Sequence, residues 1–179
     1  MLKITISGSE NYNEDTNEFT TTKDVNLQLE HSLVSVAKWE AAWNRPFLTS
    51  DEKTSEETLD YIRCMTITQN IREEHYNNIT NDHIKKIYEY IDAPMTATTL
   101  PKQTGRGSRE IVTSELIYYW MFTYNIPMEC QKWHLNRLLT LIQVCNIKNQ
   151  PEKKMSRSAI ASRNRELNNQ RRQAMNTKG

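Results

Sequence analysis

Leu2, Ile4 and Ile6 alternate with Lys3 and Thr5, a period of two that predicts a strand. Gly8 to Glu18 is polar and turn-rich. In FTTTKDVNLQLEHS, Val25, Leu27 and Leu29 again fall on alternate positions, and the threonines favour extended backbone, so one or two more strands are expected. Residues 1–31 therefore read as a hairpin or three-stranded meander, too small to be stable alone and expected to pack on the helices after it.

From Ser32 the period changes. SLVSVAKWEAAWN places Leu33, Val36, Ala37, Glu40 and Trp43 at helical spacing behind Ser32 as N-cap. This helix should end near Asn44, because Arg45 precedes Pro46 and is pushed out of the helical region. TSEETLDYIRCM opens with a capping box of Thr54 and Glu57, and Leu59, Ile62 and Met65 form its apolar edge. TNDHIKKIYEYIDAP, capped by Thr80 or Asn81, sets Ile84, Ile87, Tyr88 and Ile91 on one face and stops before Pro94. Residues 92–112 lack a period and predict a long loop of the kind that is functional or mobile. LIYYWMF, residues 116–122, has no polar face and predicts a central, buried helix or one side of an oligomer contact. Beyond Pro127, MECQKWHLNRLLTLIQVCN predicts a helix of about 19 residues. After Pro151, MSRSAIASRNRELNNQRRQAM predicts a weakly amphipathic final helix capped by Ser156 or Ser158. The expected class is α+β: a small N-terminal β element (1–31) packing on a mainly helical body (32–151), then a basic C-terminal helix or tail (152–179).

Charge sharpens this division. The net charge of the 179 residues is +1, but from Glu152 onward 8 basic residues face 2 acidic ones, a net +6. The rest has 15 basic and 20 acidic residues, a net −5, so an acidic body carries a basic tail. Hydrophobic residues make up 37% of the chain, enough for one core. Three cysteines without CxxC spacing fit a reducing cytoplasm. The opening residues lack a signal-peptide pattern, and no apolar run approaches the roughly 18–20 residues that span a bilayer.

Candidate chemistry is sparse. TGRGS lacks the spacing and the Lys-Ser/Thr of a P-loop. A phosphate held by Arg106 and Arg109 ranks below a polar loop. Cys130 and His134, four apart, would share a helix face as half a metal site, but His31, His75 and His83 are scattered and supply no further ligands at a recognisable spacing. The same pair makes a poor nucleophile–base dyad on one buried helix. Asp51, Glu52, Glu56, Glu57, Asp60, Glu73 and Glu74 cluster at helix starts, where acids favour the helix dipole and are read as solvated. The aromatic run Tyr118–Tyr124 has no interleaved Lys or Arg, so stacking on bases ranks below a core or protein interface. No catalytic residue, cofactor or metal is expected.

The tail admits three readings: a nucleic-acid arm, a protein-docking helix, or a solvated extension. For docking, Ile160 and Leu167, seven apart, share a face with the stems of Arg163 and Arg171 beside them. The stretch TSELIYYWMFTYNIPMECQKWHLNRLLTLIQVCNIKNQPEKKMS, followed by SRNRELNNQRRQAMNTKG, resembles small proteins of tailed bacteriophages, namely tail assembly chaperones and other small tail-associated proteins. The likeness runs from about residue 32 to the end and is clearest over 113–179. It implies a non-enzymatic protein of the host cytoplasm that covers aggregation-prone surfaces of tape-measure or tube subunits during tail assembly. A minor virion protein of tail, neck or baseplate, or a nucleic-acid-binding phage protein, are the alternatives. Expected contact residues are Ile160, Arg163, Leu167, Arg171 and Arg172, with Trp120 and Trp133 as aromatic anchors. Homo-oligomerisation is compatible with this reading, and no membrane is involved.

Overall fold

The computed structural model describes residues 1–8, 10–13, 18–21, 23–100, 110–149 and 156–176. The architecture is α+β, with helices following a β-hairpin. Strand β1 (Leu2–Ile6) pairs antiparallel with β4 (Val25–Leu29), and β2 (Glu10–Asn13) pairs with β3 (Glu18–Thr21). Each ladder is a two-stranded ribbon, and both keep the same pairing offset, Leu2↔Leu29 to Ile6↔Val25 in one and Glu10↔Thr21 to Asn13↔Glu18 in the other. Between them the Gly8 amide donates to Asp24 Oδ1 at 2.8 Å. Residues 10–13 were expected as turn and are strand. Backbone pairing needs no apolar side chains, so an alternation-based reading passes over a strand as polar as ENYN.

Alternation along the ribbon does fix which face is buried. Ile4, Ile6, Leu27 and Leu29 point into the same core as Leu33, Val36, Trp39, Ile62, Met65, Ile117 and Leu138. The outer edge of β4 is covered by the end of the second helix. The Glu30 amide donates to the Met65 carbonyl at 2.9 Å and the Ile67 amide to the Gln28 carbonyl at 2.8 Å. An edge strand is thereby paired rather than left open.

Helix α1 (Leu33–Trp43) starts at Ser32 with a reciprocal cap in which Ser35 takes the role usual for Glu. It ends at Asn44 in the left-handed region at φ 52°, a conformation Asn tolerates. α2 (Ser55–Met65) and α4 (Asn81–Asp92) are capped by Thr54 and Thr80, and α3 (Glu73–Tyr76) is a single short turn between them. Trp39 is fully buried, edge-on to Phe47, and its indole N–H donates to the Glu57 carbonyl at 2.9 Å.

Two helices differ from expectation. α5 (Ser114–Thr123) buries Ser114, Ile117 and Met121, while Tyr119 and Phe122 are 63% and 65% exposed. A helix laid along one side of the body buries one i, i+3/i+4 stripe fully, half-buries the positions flanking it, such as Tyr118 and Trp120, and leaves its outward face exposed whatever it carries. The expected long helix after Pro127 is broken. Met128–Lys132 is a 3-10 turn, Trp133 is extended, and α6 runs Leu135–Asn149. The break has a tertiary cause: His134 bridges to Ser32, and the Leu135 amide donates to the His31 carbonyl at 2.7 Å. Cys130 and His134 consequently do not lie on one α-helix.

Contacts divide the chain into Met1–Ile147 and Lys148–Gly179. In the second unit α7 (Arg157–Met175) is capped by Ser156, whose hydroxyl accepts from the Ala159 amide at 3.2 Å, and none of its side chains is buried. No helix among the described residues is long and apolar enough to cross a membrane.

Candidate interaction surfaces and a buried polar core

α5 and α6 leave a groove of about 420 Å³ between them, with Leu48 and Val112 also in its lining. Trp120 and Tyr124 come from α5, Leu139 and Ile142 from α6, with Gln143 and Asn146 as the polar members. Among the described residues the lining has no charged side chain, so what they offer a ligand is removal of apolar surface from water rather than Coulomb attraction. Tyr119 and Phe122, three apart on α5, extend exposed aromatic surface on the same helix. Contiguous apolar surface of this kind marks interaction sites in soluble proteins.

Of the two tryptophans expected as anchors, Trp120 lines the groove. Trp133 does not. It is half-buried, and the Arg137 guanidinium lies 4.1 Å over its ring, an intramolecular cation–π contact that already occupies that face. The five tail residues all lie on α7, where Ile160 is 45% and Leu167 40% exposed. The arrangement is a narrow apolar stripe with arginines beside it. Arg106, Arg109, Lys153, Lys154 and Lys178 lie outside the described residues, and with them the phosphate reading of 104–108.

The acids expected as solvated are not all so. Glu57 is buried: it accepts from the Thr54 amide at 2.7 Å and from Arg45 Nη1 at 2.6 Å. The Thr54 hydrogen bond, reinforced by the Arg45 charge, holds its carboxyl below the usual carboxylate range. Glu40 was expected only as a member of the α1 stripe. Its two oxygens accept from the Phe47 and Ser114 amides, each at 2.8 Å, joining α1, the loop after it and the first turn of α5. The legible signal was a charged residue on the apolar face of α1, where a carboxylate is tolerated only if satisfied.

The histidines expected as scattered are partly gathered. His31 and His134 meet edge to face with centroids 5.1 Å apart, both buried. His31 Nδ1 is hydrogen-bonded to the Tyr61 hydroxyl. His134 Nε2 donates to the Tyr90 carbonyl at 3.0 Å, and the Tyr90 hydroxyl donates to Glu30 Oε1 at 2.6 Å. Burial, then the neighbouring His134, pushes the His31 pKa down to about 3. Burial also lowers that of His134, against the hydrogen bond to Tyr90 and the charge of Glu30. Neither imidazole lines the clefts at Trp120, Tyr88, Asn44 or Cys64. His75 and His83 are elsewhere, on α3 and α4. Among the described residues no three His, Cys, Asp or Glu side chains gather as a metal would require.

No family model matches the chain, and neither a curated protein nor a solved structure matches it.

Proposed function

We propose that the chain is a non-enzymatic tail assembly chaperone of a tailed bacteriophage, working in the host cytoplasm through protein–protein contacts. The observation that carries the reading is the uncharged groove between α5 and α6, lined by Trp120, Tyr124, Leu139 and Ile142 and open to solvent. Its occupant is an apolar segment of a tape-measure or tube subunit that has not yet been assembled. α7 supplies a second contact of different chemistry. Ile160 and Leu167 bury against the subunit while Arg163, Arg171 and Arg172 meet its acidic or carbonyl groups. The resemblance read from the sequence over residues 113–179 is what suggests a tail-assembly context, and α7 with most of the groove lining falls within that stretch.

The test is co-expression with the tape-measure and tube subunits of the phage, one at a time, with the soluble, co-eluting fraction measured. The wild-type chain should keep one of them soluble, and the pair Arg171→Glu and Arg172→Glu should reduce co-elution about tenfold, the effect of losing roughly 1.4 kcal/mol of binding. Co-elution unchanged by that pair and by Trp120→Ala would refute the assignment. Copy number in purified virions separates the chaperone from a minor virion protein: near zero for the first, fixed for the second.

A further inference from the structure

α6 begins in an unusual way. Its N-cap is His134, whose Nδ1 accepts from the Asn136 amide at 3.3 Å while Nε2–H donates to the Tyr90 carbonyl at 3.0 Å. Those two bonds specify one neutral tautomer, since a ring nitrogen that accepts must be unprotonated. Ser, Thr, Asp and Asn are the usual cap residues, and none of them loses its acceptor at mildly acid pH. His134 does. A proton on Nδ1 replaces the acceptor with a donor aimed at another N–H. It also puts positive charge at the helix end that repels it. The His31 ring, 5.1 Å away, adds a second imidazole to the same buried space.

We propose that His134, with His31 beside it, is an acid-sensitive latch. Neutral, it caps α6 through Nδ1 and ties its start to the Tyr90 carbonyl of α4, packed on His31 at the junction of β4 and α1; protonated, it loses the cap acceptor and lets the first turns of α6 go. The same junction holds the other fastenings, the Ser32↔His134 bridge and the Leu135 amide on the His31 carbonyl. The titratable and charged groups that face the pair are Tyr61 from α2, Tyr90 from α4, Glu30 from the end of β4, and the Met1 amine, which is paired with Glu30 at 3.1 Å. Glu30 is the group that favours a proton here, and its hydrogen bond with Tyr90 and its ion pair with Met1 already engage both of its oxygens. Because α6 supplies Leu139, Ile142, Gln143 and Asn146 to the groove, releasing its start loosens the groove as well. The latch stands whether or not a partner uses the groove.

The sign follows from the lowered folded-state pKa values. The neutral pair supports the structure fully above the ordinary histidine value of 6.5, and that support drains away as pH falls below it, toward about 3 for His31 and through the lowered value of His134. For each ring the closed-to-open ratio falls by up to about tenfold per pH unit in that window.

Hydrogen exchange of the full chain at pH 7 and pH 5, corrected for the intrinsic rate, tests this. Amides of Leu135–Leu139 should lose protection by about tenfold or more at pH 5, while those of α2 change far less. His134→Asn retains a cap acceptor that no proton removes but gives up the bond to the Tyr90 carbonyl, so it should keep more protection at pH 7 than His134→Ala and lose most of the acid response. His134→Ala should lose protection at the start of α6 at both pH values. Equal loss of protection throughout the body, or an unaltered acid response in His134→Asn, overturns the latch. Should either variant fail to fold, imidazole NMR of the wild type decides. A His134 ring that titrates near 6.5 while the α6 amides stay protected also overturns it, and titration together with those amides supports it.

Discussion

Replacing Glu40 probes how a single buried carboxylate joins three parts of the body. Glu40 lies on α1 and is 8% exposed, and its oxygens accept from the Phe47 and Ser114 amides at 2.8 Å each. Ser114 is the first residue of α5, so the carboxylate also sits at the positive end of that helix. Glu40→Ala removes two hydrogen bonds to a charged group, each worth about 1.5–3 kcal/mol, and leaves two buried N–H groups without acceptors. Some relaxation and water entry will offset part of this, so the expected loss is about 3–5 kcal/mol. That is a large share of a total stability of roughly 5–15 kcal/mol. For a chain of this size it corresponds to a fall in Tm of about 6–20 °C. Glu40→Gln keeps one acceptor but turns an NH₂ toward the other amide, and should cost about half as much. The exposed Glu52→Ala is the control and should stay within about 0.5 kcal/mol. The assay is thermal and urea unfolding followed by circular dichroism. A Glu40→Ala protein within about 3 °C of wild type would refute the reasoning, because the two amides would then have to be satisfied without the carboxylate.

Two further outcomes are expected. Tyr61 and Tyr90 should remain protonated at about pH 11 in the folded chain, because burial raises both, with Glu30 adding to the effect at Tyr90, and burial raises Tyr118 as well. The folded state holds these protons more tightly, so stability is full below the ordinary tyrosine value of about 10 and declines above it. Phenolate absorbance checks this, and the ionisation of all 8 tyrosines together with the fold intact would contradict it. Deleting residues 156–179 should shift the Tm of the remainder by less than about 2 °C, since α7 has no buried side chain and its removal takes no core area. Differential scanning calorimetry of the truncated chain reads this directly, and a loss of several degrees would show that α7 packs on the body.

Local signals were legible where one residue or one period decides the outcome. Ser32, Thr54, Thr80 and Ser156 each cap a helix, because a side-chain oxygen before an apolar stripe satisfies orphan amides within the same few residues. Alternation at Ile4, Ile6, Leu27 and Leu29 marked the buried face of the ribbon for the same reason, since a period of two puts every second side chain on one side. The candidate site was only half legible: Trp120 was named as an anchor, but the groove around it needs Leu48, Val112 and α6 brought together from distant parts of the chain.

Tertiary structure alone decided the rest, because the partners involved lie far apart in the chain. The run Leu116–Phe122 looks apolar on all sides, and nothing local says that Ser114, Ile117 and Met121 are the buried stripe while Tyr119 and Phe122 face outward. The helix predicted through Trp133 and His134 has a consistent local pattern, yet it breaks because His31 and Ser32, about a hundred residues earlier, compete for the backbone there. Glu40 and Glu57 read as acids on helices until amides and Arg45 from other segments surround them. Short-range sequence sets caps, periods and propensity, because their energies are settled within a turn or a strand pair. Which face is covered, where a helix must start, and which charges are buried depend on partners that folding alone brings into contact.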